Sequence, residues 1–85
     1  MATDAQVARM LTEQMQRKGF ECGQRYTTLG DQLPELVKSF PGESQATLRQ
    51  QAEAVIQNTT YGFKVRRANG SLEISAKAAG PTCGS

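Results

Sequence analysis

An α+β domain of three helices and a small antiparallel sheet is the fold class this 85-residue sequence predicts. Three observations carry that expectation. Apolar residues recur at helical spacing in three stretches, closed by Gly19, Pro41-Gly42 and Asn58 respectively. Alternating runs flank Asn69-Gly70, a dipeptide suited to a two-residue hairpin because both central positions of a type I′ turn need positive φ. Between the first two helical stretches, the period shortens to two from Phe20 onward.

Thr3 followed by Gln6 has the form of a capping box, and Val7, Met10, Leu11 and Met15 then share a face. These residues predict a first helix over 4–18, closed by Gly19 with Phe20 packing back on the last turn. Methionines at this spacing are expected to fill core rather than a partner groove. Next, Phe20, Cys22, Gln24 and Tyr26 alternate with Glu21, Gly23, Arg25 and Thr27, which predicts a short strand with Cys22 on its apolar side.

Leu29, Leu33, Leu36, Val37 and Phe40 return to helical spacing. Proline fits only a first turn, where its missing N–H costs nothing, so Pro34 places the start of the second helix near Asp31 as N-cap. The third helix is expected from Ser44 to Asn58, with Leu48, Ala52, Val55 and Ile56 on its buried stripe. Gln50, Glu53 and Gln57 then face out, while the helical wheel puts Gln45 on the buried side.

The hairpin spans residues 61–77, and its two-residue loop fixes the register. Ala68 meets Ser71, Arg67 meets Leu72, Arg66 meets Glu73, Val65 meets Ile74, Lys64 meets Ser75 and Phe63 meets Ala76. Phe63, Val65, Leu72, Ile74 and Ala76 gather on one face, expected to be core. Lys64, Arg66, Glu73 and Lys77 fall on the other, where an Arg66–Glu73 pair across the strands is worth about 0.2–1 kcal/mol.

A composition of 38% hydrophobic and 21% charged residues is that of an ordinary globular domain, expected over 1–77 as one unit. Residues 78–85, ending in "AAGPTCGS", lack periodicity and read as a disordered tail. No stretch approaches the roughly 20 apolar residues of a membrane span, and the N-terminus lacks a basic region followed by an apolar run, so the expected compartment is cytoplasmic. Cys22 and Cys83 stand 61 positions apart, too sparse for a secreted disulfide scaffold, and are expected to be free thiols. The sequence has no histidine and no closely spaced cysteines. That removes the usual zinc sites and histidine-dependent catalysis, so neither an enzyme nor a cofactor or metal is expected.

Charge is distributed unevenly. Residues 1–59 carry six Lys/Arg against seven Asp/Glu, a net of −1; residues 60–85 carry four against Glu73 alone, a net of +3. The positive field belongs to the hairpin. The order helix, strand, helix, helix, strand, strand resembles that of winged helix-turn-helix DNA-binding domains, and residues 43–74, "ESQATLRQQAEAVIQNTTYGFKVRRANGSLEI", are similar in layout to their recognition helix and wing.

That resemblance implies a winged-helix-like fold and a small DNA-binding regulator of transcription, of a size that suits a phage or plasmid accessory protein. It would put Ser44, Gln45, Thr47, Arg49 and Gln50 on the first turns of a helix in the major groove, where Arg suits guanine and Gln adenine. Lys64, Arg66 and Arg67 would meet phosphates. Double-stranded DNA is then the expected partner, bound by a homodimer across two half-sites. The alternative is a protein-binding module, an adaptor or inhibitor, with the hairpin as a charged docking edge; the hairpin charges also suit a merely solvated edge that resists aggregation.

Overall fold

The computed structural model describes residues 1–81 and Cys83. The chain runs through α1 (Asp4–Arg17), β1 (Thr27–Thr28), α2 (Leu29–Ser39), α3 (Gln45–Gln57), a 3-10 turn (Thr59–Tyr61), β2 (Lys64–Ala68) and β3 (Ser71–Ser75). The class is α+β, as expected. The three strands form one antiparallel sheet in the order β1-β3-β2, so β3 is central and β2 is an outer edge.

α1 starts at the expected capping box: Gln6 N donates to Thr3 Oγ1 at 3.1 Å, and Thr3 N donates to Gln6 Oε1 at 2.9 Å. It ends where Gly19 takes φ +83° and Phe20 N reaches back to Met15 O at 2.9 Å. Val7, Leu11 and Met15 of α1 pack in one core with Leu33 and Leu36 of α2, the Leu48–Ile56 stripe of α3, and Ile74 beside β1. Met15 is fully buried and Met10 packs partly buried against the core, as their spacing implied. No helix among the described residues is long and apolar enough to cross a membrane.

Two polar links tie α1 to α2. Gln14 Nε2 donates to both the carbonyl and Oε1 of Gln32, whose own Nε2 donates to Thr27 Oγ1 at 2.9 Å, a buried chain from α1 through α2 to β1. On the surface, Arg17 and Lys18 each approach Glu35 at 2.6 Å. The hydrogen bond from Lys18 holds the Glu35 carboxyl below its ordinary value; desolvation opposes it, and the Lys18 and Arg17 charges reinforce it.

α2 starts three residues earlier than the proline implied, with its N-cap at Thr28 in place of Asp31. The Thr28 side chain accepts from Asp31 N at 3.2 Å, so Pro34 sits in the helix interior rather than its first turn. The interruption falls on the outside: Gly30, whose carbonyl a residue-34 N–H would have met, is exposed, as is Pro34, and water can take that acceptor. α3 follows expectation, with Ser44 as N-cap and Asn58 as C-cap, except that Gln45 is exposed.

The segment from Phe20 to Tyr26 is not a strand. Cys22 and Gly23 both take positive φ, +63° and +70°, which ends any alternation, and only Glu21 bridges to Ala76. This loop folds over β3: Cys22 N donates to Ala76 O, Ala76 N to Phe20 O, and Gly23 N to Ser75 Oγ. Ser75, on the face expected to be wet, is consequently fully buried.

Cys22 is bonded to Cys83, with Cα atoms 5.3 Å apart, so the expectation of free thiols is overturned. Described tail residues are therefore tied down: the bond anchors Cys83, and Ala79 N donates to Glu21 Oε2 at 2.9 Å. Thr82, Gly84 and Ser85, part of the stretch expected to be disordered, lie outside the described residues.

Candidate functional site

The hairpin forms in the register counted from its turn, with Asn69 at φ +54° and Gly70 at +77°. β2 itself is exposed along nearly its whole length, Val65 included. Alternation then divides the hairpin cations between two faces. Lys64 and Arg66 share the face covered by the 20–26 loop, while Arg67 shares the face of Val65 and Leu72.

On the first face, Arg66 is already engaged. Its Nε donates to Glu73 Oε1 at 2.9 Å, and its guanidinium lies 3.8 Å from the centroid of the Tyr26 ring. Lys64 is exposed and forms no ion pair among the described residues; its aliphatic stem lies over Gly23. Tyr26 as a platform for Arg66 was not anticipated. Its signal would have been an aromatic residue just before β1, and that element was assigned to the wrong residues.

On the second face, a cleft of about 380 Å³ joins three elements: Thr28, Leu29 and Gly30 at the start of α2, Arg49 and Glu53 on α3, and Ser71 and Leu72 on β3. Arg67, paired with Leu72 across the hairpin, belongs to this side and forms no ion pair among the described residues. The Leu29 and Gly30 N–H groups that open α2 have no helical acceptor, whereas that of Asp31 is taken by Thr28 Oγ1; with the helix dipole they give this end of α2 partial positive charge at the cleft. Arg49 is held by Glu53 in an exposed i,i+4 pair at 3.5 Å. The α2 terminus is the contributor that the sequence reading missed. Thr28 followed by Asp31 was its available signal.

Gln45, Arg49 and Glu53 stand one turn apart along α3, with Gln50 beside them, and both glutamines are exposed. Ser44 and Thr47 are largely satisfied by each other: Thr47 N donates to Ser44 Oγ at 3.1 Å and Ser44 Oγ to Thr47 Oγ1 at 2.8 Å. These two hydroxyls serve the helix start first. The fold therefore places Arg49 at the cleft, leaves Arg67 on the hairpin face of Leu72 but outside the residues that line the cleft, sets Gln45 and Gln50 on the exposed surface of α3, and separates Lys64 and Arg66 onto the opposite side of the hairpin. Compared with models of protein families, with curated proteins and with solved structures, the chain matches none.

Proposed function

We propose that the protein binds double-stranded DNA, with the exposed side of α3 in the major groove and the hairpin against the phosphate backbone. The observation that carries this reading is the cleft where the α2 N-terminus, Arg49 and the hairpin meet, its hairpin side formed by Ser71 and by Leu72, the cross-strand partner of Arg67. The Leu29 and Gly30 N–H groups at this concavity suit a phosphate, and Arg49, which also lines it, is paired with Glu53. Gln45, Arg49 and Gln50 on the adjoining surface are side chains that read base edges. The element order supports a winged-helix-like reading, and a homodimer spanning two half-sites completes it, because one module of this size buries little DNA surface.

Fluorescence anisotropy of a random labelled duplex across a salt series tests the proposal. Binding at low salt with log K falling against log salt at a slope of about −3 corresponds to three neutralised phosphates. No binding at low salt, or binding without salt dependence, sinks it. Because a lasting disulfide belongs to an oxidising environment, the titration is run with Cys22–Cys83 closed and again with it reduced.

A further inference from the structure

The outer edge of β2 is an unfilled strand position. In a two-residue hairpin the residues flanking the turn, here Ala68 and Ser71, form a hydrogen-bonded pair, and bonded pairs then recur at every second residue. Arg66–Glu73 and Lys64–Ser75 are therefore bonded pairs, whereas Val65 and Arg67 turn their N–H and C=O groups away from β3. No loop, turn or side-chain group among the described residues takes up those four backbone groups. Val65, 38% exposed, is with Met1 one of two large apolar side chains left open among the described residues.

Charge selects what fills this edge. A second copy of β2 laid antiparallel across it, with Val65 opposite Arg67, would set Arg66 directly against Arg66 and place each Lys64 diagonal to the other strand's Arg66 on the same face, and like charges facing each other destabilise a sheet. An extended segment with carboxylates opposite Lys64 and Arg67 and an apolar residue opposite Val65 meets the same backbone groups with attraction. We propose that the outer edge of β2 docks an acidic extended segment of another protein as a fourth strand of the sheet. Backbone hydrogen bonds at Val65 and Arg67 supply the pairing, and the two free cations set the preference for acid. This inference does not rest on the DNA reading, although Arg67 serves both.

The test uses the labelled peptide Thr-Thr-Glu-Thr-Val-Glu-Thr, whose first Glu, Val and second Glu would lie opposite Arg67, Val65 and Lys64 in antiparallel pairing. Methylating the backbone nitrogens of the first Glu and of Val removes the donors that face β2 and keeps every charge. Methylating the two Thr nitrogens flanking that Glu leaves those donors intact. The first change is expected to weaken binding by about tenfold or more and the second to leave it unchanged. On the protein, Val65→Pro removes an outward N–H without breaking a rung to β3, and is expected to lose peptide affinity by a similar factor while DNA affinity holds. Should Val65→Pro fail to fold by circular dichroism, the methylated peptides decide on the unaltered protein. Equal loss with both methylation patterns would mean attraction without strand pairing, and it overturns the proposal, as does absence of binding. A dimer that Val65→Pro dissociates overturns it in favour of a second copy. Loss of DNA binding alone, with peptide docking intact, removes only the DNA reading.

Discussion

The fold treats the cations of its helices and those of its hairpin differently. Arg17 and Lys18 close on Glu35, Arg9 pairs with Glu13, and Arg49 with Glu53, so much of the helical positive charge is answered inside the molecule. In the hairpin only Arg66 has a carboxylate, Glu73, while Lys64 and Arg67 have none among the described residues. A residue already paired can meet an outside anion only by breaking or sharing its bond, whereas a free one meets it directly. Folding stability should accordingly reside in the helical layer, and response to polyanions in the hairpin.

The largest effect that separates the two regions comes from the core. Leu36→Ala, at a fully buried position of α2, is expected to lower stability by about 2–5 kcal/mol in urea denaturation while the DNA affinity of the folded fraction holds. A loss of affinity without a loss of stability would invert the comparison. Cys83→Ser comes next. Opening the link between Cys22 and Cys83 releases a long loop and should cost about 2–4 kcal/mol. Reductant should bring the thermal midpoint of the unaltered protein down to that of the variant and leave the variant unmoved; a midpoint insensitive to reductant would refute the link's contribution.

The reverse experiment acts on the hairpin. Lys64→Glu with Arg67→Glu should abolish duplex binding at low salt yet change stability by no more than about 0.5 kcal/mol, because neither side chain is buried or paired. Neutralising rather than reversing the same two positions should reduce the salt slope by about 1.8, the share of two phosphates. Unaltered affinity in the reversed variant would show that the free charges are only a solvated edge.

Legibility in the sequence divides along similar lines. The hairpin register could be counted because a two-residue loop leaves the chain no other pairing, and α3 could be bounded because a cap residue and an apolar stripe agree. The 20–26 loop could not. Its alternating pattern imitates a strand, and what defeats that pattern lies elsewhere in the chain: Ala76 and Ser75 bonding the loop backbone, and Cys83 taking Cys22. Gly23 in the middle of the run was the local warning. Pro34 misplaced the start of α2 because tertiary packing tolerates a lost rung on an exposed face. Among the site residues, the cations were visible as residues. Glu53 was visible too, but as an exposed carboxylate rather than as the i,i+4 partner of Arg49, and the separation of Arg67 from Lys64 and Arg66 follows from strand alternation alone.

The smallest effect sharpens the comparison because it touches a paired charge that should matter for folding and not for DNA. Glu35 is ionised more readily in the folded chain than in the unfolded one, chiefly through its hydrogen bond from Lys18. A depressed folded pKa gives stability that is fully present above the unfolded value of about 4.3 and lost as pH falls through the lower folded value. The Glu35 side chain is about one-third exposed, so solvent screens the cluster and its worth at neutral pH is at most about 1 kcal/mol. Glu35→Gln should lower the thermal midpoint slightly at pH 7, leave it unchanged at low pH where the carboxylate is already protonated, and so flatten the acid limb of the stability curve. Duplex affinity should not move. If the variant and the unaltered protein lose stability in parallel from neutral to acid pH, the Arg17–Glu35–Lys18 cluster is not what the helical cations contribute to folding, and the contrast with the hairpin loses one of its two sides.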